Sequence, residues 1–151
     1  MSESTRSGLS PRNLAMNWLS RREHSQAELR EKLAAREIEP EIILLTVEKL
    51  ASDGLVSDER FAAALVAVRI RKGQGPVRIR AELKKRGVSA ELAQLHVYDA
   101  GHDWIAQASD VRSKKFGLTV PAEFKDKAKQ MRFLEYRGFC TEQIRAVVGE
   151  D

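Results

Sequence analysis

The sequence predicts an all-α protein: three tandem three-helix repeats stacked into an elongated, curved array. A block of residues recurs in register, with Leu33-Ala34-Ala35-Arg36-Glu37-Ile38 matching Leu83-Lys84-Lys85-Arg86-Gly87-Val88 and Leu134-Glu135-Tyr136-Arg137-Gly138-Phe139. The match runs on into an acid, Glu41, Glu91 and Glu142, and then into Val47, Val97 and Val148. Self-similarity at a fixed spacing of this size marks a repeat architecture. Apolar residues also return at helical spacing throughout, and no segment shows the strict alternation of a half-buried strand.

Each element follows from local signals. Ser10 caps a first helix with Pro11 at its first position and Leu14, Trp18 and Leu19 on its apolar stripe. Ser25-Gln26-Ala27-Glu28 is a capping box, in which serine and glutamate satisfy each other's free backbone donors; it opens a helix that buries Leu29 and Leu33. Pro40 opens the third helix, bearing Ile42, Ile43, Val47 and Leu50, and Asp53-Gly54 ends it. Ser57 caps a helix with Phe61, Leu65 and Val68 inward, which stops at Gly73-Gln74-Gly75 before Pro76 restarts the chain. Ile79 and Leu83 lead to a stop at Gly87, and a helix from Ser89 carries Leu92, Leu95 and Val97. A helix from Asp103 to Phe116 buries Trp104, Ala108 and Val111 and breaks at Gly117 and Pro121. The last unit places Phe124, Ala128, Met131 and Leu134 inward, then Ile144, Val147 and Val148. Such short modules cannot cover their own apolar faces, so neighbours stack. The expected division is a disordered tail over 1–9, a first repeat over 10–54, a second with connecting helices over 55–117 and a third over 118–151.

With 42% hydrophobic and 32% charged residues in 151, the chain has the composition of a soluble protein with a charged surface. Its longest apolar run, residues 61–68, is far below the ~20 residues that span a bilayer. The polar residues 1–8 lack the apolar core of a secretory signal. No membrane partner and a cytoplasmic location are expected. The single cysteine, Cys140, cannot form an internal disulfide, which agrees with a reducing compartment, and it reads as a small packing residue.

Enzyme signatures are missing. There is no phosphate-cradling G-x-x-x-x-G-K-[ST] run, and Gly73 and Gly75 lie between two helices, so they form a helix break and not a dinucleotide loop. His24, His96 and His102 are scattered without cysteines or paired carboxylates at ligand spacing, so neither a metal nor a cofactor is expected. His102-Asp103 reads as a polar pair at a helix start, since no nucleophile elbow accompanies it. Trp18, Trp104 and Phe61 sit at core spacing, whereas Tyr136 fits either core or surface.

Charge supplies the functional signal. The net charge is +4, but Arg69, Arg71, Lys72, Arg78, Arg80, Lys84, Lys85 and Arg86 are opposed by Glu82 alone between residues 69 and 86. Such clustering favours a polyanionic partner, with a solvated helical face as the alternative reading. At ~100° per residue Arg86 falls near Ile79, toward the core, so Arg36, Arg86 and Arg137 read as structural, each pairing with the acid five residues on: Arg36 with Glu41, Arg86 with Glu91, Arg137 with Glu142. Arg78 and Lys85 fall on one flank, Arg80 and Lys84 on the other. Together with Arg69, Arg71 and Lys72 they crowd around the 73–75 break as candidate contacts, seconded by Lys125, Lys127, Lys129 and Arg132 in the third unit.

At these residues the chain resembles the RecX family. The matching stretches are residues 25–33, Gly54-Leu55-Val56-Ser57-Asp58-Glu59-Arg60-Phe61-Ala62, the specific run Arg69-Ile70-Arg71-Lys72-Gly73-Gln74-Gly75-Pro76 continuing through Arg86-Gly87-Val88, and residues 132–139. The similarity extends from about Leu14 to Gly149. One departure within the repeat is Glu37, where the other units have Gly87 and Gly138. The resemblance implies tandem three-helix repeats. It also implies a non-catalytic regulator that lies in the groove of the RecA recombinase filament and inhibits filament extension, ATP hydrolysis, strand exchange and co-protease activity. The expected partners are thus the RecA filament and the single-stranded or duplex DNA within it, bound weakly and non-specifically by a monomer. The alternative is a stand-alone basic helical DNA-binding or transcription factor, with the basic stretch as a recognition helix. A protein-interaction scaffold is a third reading.

Overall fold

The computed structural model describes residues 9–149. The expected disordered tail, 1–9, lies outside them except for Leu9. Among the described residues the chain forms nine helices and no strand: α1 (Pro11–Leu19), α2 (Gln26–Ala35), α3 (Pro40–Ser52), α4 (Asp58–Arg71), α5 (Pro76–Lys85), α6 (Ala90–Ala93), α7 (Trp104–Phe116), α8 (Phe124–Arg137) and α9 (Thr141–Val148). A π-helical turn, Gln94–Tyr98, continues α6. The architecture is the predicted all-α array of three-helix units.

The capping signals operate as read. The Ser10, Ser25, Ser57 and Ser89 hydroxyls and the Asp103 carboxylate each accept a backbone N–H in the first turn of α1, α2, α4, α6 and α7. Glu28 completes the capping box by accepting the Ser25 N–H. Glu37 takes φ 64, the left-handed turn that Gly87 and Gly138 take at φ 86 and 102, so the first unit ends its second helix as the others do.

Two apolar cores hold the array. The first is confined to α1–α3 and the turn after them, around Leu14, Leu29, Leu33, Val47 and Leu50. The second runs through α4–α9, from Phe61, Ile79 and Leu83 to Trp104, Leu134 and Val148. Helix α7 packs on α8 and α9, which makes α7–α9 a three-helix unit like α1–α3. Trp104 donates its indole N–H to the Val97 carbonyl (2.9 Å), joining that unit to the π-helical turn. Two residues expected inside are outside, Leu95 and Phe124. Phe124 is the first residue of α8, ahead of the part of that helix packed against its neighbours.

The units meet end to end. The Ser25 hydroxyl, at the start of α2, donates to the Arg86 carbonyl at the end of α5 (2.6 Å). The Gly75 and Val77 N–H groups, at the start of α5, donate to the Arg137 and Gly138 carbonyls at the end of α8 (2.8 and 2.9 Å). Donors left free at one helix N-terminus thus satisfy acceptors left free at the next unit's C-terminus, with the helix dipoles head to tail. The approach is close enough to require glycine: a Cβ on Gly75 would lie 2.5 Å from the Gly138 carbonyl, and one on Gly87 2.4 Å from the Ala27 Cβ. At the matching position after α2 the chain carries Glu37 in place of glycine.

Candidate polyanion interface

The seven basic residues around the 73–75 break do not share one surface. Arg69 is held inward, its Nε and Nη2 donating to the two carboxylate oxygens of Glu82 (2.7 and 2.8 Å). Those bonds pull the Glu82 carboxyl below its ordinary range and raise Arg69 further. Arg78 lies at the joint between units, donating to the Tyr136 carbonyl (3.3 Å) with its guanidinium 5.4 Å from the centre of the exposed Tyr136 ring. Arg80 and Lys84 border an apolar hollow of about 420 Å³ with Val77, Val88 and Tyr98. Lys85 is exposed.

Arg71 and Lys72 enter a different cavity. They line a cleft of about 290 Å³ between the end of α4, one side of α7 and the last turn of α8, opposite Lys114, Lys115 and Arg137. Asp110 is the one carboxylate on its wall, and it pairs with Lys114 at 3.2 Å. Phe133 forms the floor, with the Arg137 guanidinium 5.0 Å and the Lys115 ammonium 5.8 Å from its ring centre. Its edge-on contact with Phe116 fixes the ring (5.3 Å between centroids). Both cations lie at cation–π distance from the ring, and the wall of the cleft is predominantly cationic. Gln107 closes its inner end, donating to the Ile70 carbonyl (2.9 Å) and the Gln74 carbonyl (3.2 Å).

The three proposed arginine–glutamate pairs are not formed. Arg86 instead binds Glu28 in α2 and Glu82 one turn back (3.1 Å to the latter). Arg137 approaches the carbonyls of Lys72 and Gly73 (3.5 and 3.4 Å) and stacks on Phe133, again one turn back. Arg36 lies over the Trp18 ring (5.8 Å). The reason is geometric: helical side chains lean toward their own N-terminus, so a last-turn arginine reaches backward and away from the next helix. Glu41, Glu91 and Glu142 remain exposed. In the third unit Lys125, Lys129 and Arg132 are exposed on α8, and Lys127 is half-buried.

Lys114 and Lys115 escaped the sequence reading. Their one signal was a lysine pair in the last turn of a predicted helix, and nothing in the sequence places that turn opposite residues 71 and 72. Among the described residues no group of acids, histidines and cysteines is arranged to hold a metal, and no helix is long and apolar enough to cross a membrane.

The chain is a three-unit helical array with a cationic cleft at a joint, and comparison with known proteins gives its lineage. Family models described as the first, second and third three-helix domains of RecX match residues 12–50, 57–95 and 103–148 in turn. The third match groups α7 with α8 and α9, as the packing does. Regulatory protein RecX of Halorhodospira halophila is 42% identical over 146 residues, covering 97% of this chain and 91% of that protein. Regulatory protein RecX of Pseudomonas fluorescens SBW25 is 42% identical over 141 residues, covering 93% and 91%. The crystal structure of RecX from Lactobacillus salivarius shares the fold with a TM-score of 0.76 at 21% identity, over 91% of this chain and 92% of that one. The chain belongs to the RecX family, a family of regulatory proteins.

Proposed function

We propose that this chain regulates the RecA recombinase by binding the RecA–DNA filament, and that it inhibits filament extension, ATP hydrolysis, strand exchange and co-protease activity by occupancy, without catalysis. The observation that carries the reading is the cleft between α4, α7 and α8, where Arg71, Lys72, Lys114, Lys115 and Arg137 converge with a single carboxylate among them. It would take phosphates of the DNA inside the filament while the rest of the array lies along the protein. Several weak interactions on one rigid body add through effective concentration, so bare DNA is bound weakly and without sequence preference. The acting species is a cytoplasmic monomer.

The test is RecA ATPase activity on single-stranded DNA with the chain titrated below one molecule per protomer; inhibition is expected. Replacing Arg71, Lys72, Lys114 and Lys115 with glutamate should preserve helicity and weaken inhibition. The salt slope of binding should fall by about 0.7–0.9 for each phosphate that is no longer neutralised. Unchanged potency with unchanged salt dependence would remove the cleft from the mechanism. A strong preference for one duplex on bare DNA would favour a stand-alone DNA-binding factor instead.

A further inference from the structure

The connection between α7 and α8 displays apolar side chains that no other part of the described chain covers. Leu118 is 87% exposed, Val120 52% and Phe124 72%. On a loose loop this would carry little meaning, but the loop is pinned from beneath. Arg112, on α7, is only 3% exposed and donates to the Leu118 and Thr119 carbonyls, both at 3.3 Å. Its remaining bonds run to the buried Gln130 side chain and to Ser113, also at 3.3 Å, and its Nε has no partner. No carboxylate pairs with it among the described ion pairs.

A guanidinium withdrawn from water with no carboxylate against it is among the least favourable groups to bury, and an apolar side chain of similar volume would fill the space more stably. The negative end of the α7 dipole offsets part of that cost. What the arginine supplies, and an apolar residue would not, is a grip on the two carbonyls from which Leu118 and its neighbours project. A fixed shape is of use only against a shaped surface. A lipid interface accepts any mobile apolar loop, whereas a protein pocket gains affinity when the inserting segment is already ordered.

We propose that residues 118–124 form a rigid docking tip that inserts into an apolar hollow with an acidic margin on a partner protein. The acidic margin follows from the charge along the chain on either side: Lys114 and Lys115 before the tip, Lys125, Lys127 and Lys129 after it, against Glu123 and Asp126. Leu118 and Phe124 are the anchors, the kind of side chain that dominates binding when it enters a desolvated pocket. The tip borders the cationic cleft through Lys114 and Lys115, but its apolar anchors take no part in that cleft.

This inference rests on the reading that the partner is the recombinase filament, and the experiment separates the two. Binding of the unaltered chain and of a Leu118→Ser, Val120→Ser, Phe124→Ser variant is measured on RecA filaments, on bare single-stranded DNA and on phosphatidylglycerol vesicles. The expected result is a loss of roughly tenfold or more on filaments, with DNA affinity, its salt slope and the melting temperature unchanged. Filament binding equal to that of the unaltered chain overturns the docking tip. So does vesicle binding that the substitutions abolish while filament binding persists, which would make the tip a lipid anchor. Failure of the unaltered chain to bind filaments at all overturns the functional reading, and the tip's assigned partner with it.

Discussion

At the scale of single residues, His24 shows how burial fixes a protonation state. The ring is buried at the start of α2, with Nδ1 3.0 Å from the Arg22 carbonyl and Nε2 2.9 Å from the Lys32 ammonium. Only a neutral ring that donates from Nδ1 and accepts at Nε2 satisfies both. Burial holds its pKa below the ordinary 6.5, and burial likewise lowers Lys32. Because the folded value is the lower one, the unfolded chain takes up the proton first as the pH falls. The stability from neutral His24 is therefore complete above about pH 6.5 and is lost as the pH drops through the depressed folded value. The melting temperature should fall between pH 7 and 5, and a His24→Gln variant should show a flatter profile there; an equal slope in both would assign the effect to another group. Gly75 offers a second test. Its φ of −96° suits any residue, yet an added Cβ would meet the Gly138 carbonyl at 2.5 Å. Gly75→Ala should lower stability by about 1–3 kcal/mol in urea titration, a cost due to crowding and not to backbone strain.

At the scale of elements, the joints between units do more than end helices. Ser25 accepts the Glu28 N–H and donates to the Arg86 carbonyl, capping the start of α2 and the end of α5 with one hydroxyl. Ser89 caps α6 alone. Ser25→Ala should therefore cost about 1–3 kcal/mol, because it strands a part-buried carbonyl as well as a helix donor, against about 0.5–1 kcal/mol for Ser89→Ala. Equal losses would mean that water replaces the inter-unit bond. A ladder of charge runs beside it from Arg69 through Glu82 and Arg86 to Glu28. Both carboxyls sit below their ordinary 4.5, Glu82 through its bonds to Arg69 and Glu28 through its bonds to Arg22, Ser25 and Arg86, which outweigh the opposing effect of burial. Their contribution is present above about pH 4.5 and disappears as the pH falls through the lower folded values.

At the scale of the whole molecule, the division into two cores sets how the array opens. The first core belongs to α1–α3 alone, while α4–α9 share the second, and the two bodies are joined by hydrogen bonds and ion pairs from α2 to α4 and α5. Repeat arrays unfold by units wherever the joint is weaker than the unit. Hydrogen exchange should show amides of α1–α3 opening at lower free energy than those of α5, α7 and α8. Uniform protection across all nine helices would indicate a single cooperative body.

The sequence by itself determined the helices, their caps and the threefold repeat, because those depend on residues a few positions apart and on a spacing that survives translation along the chain. It also marked residues 69–86 as strongly basic. Tertiary structure alone decided how the charges are spent. Arg69 turned inward because Glu82 stands on the adjacent helix, Arg71 and Lys72 met Lys114, Lys115 and Arg137 across a cleft, and the arginines at the unit ends reached back and not forward. The buried Arg112 and the apolar tip above it were likewise illegible, since nothing within a helical turn of Arg112 tells whether water or protein surrounds its guanidinium. Local sequence encodes the direction of each side chain along its own helix; what it meets there depends on packing between segments dozens of residues apart.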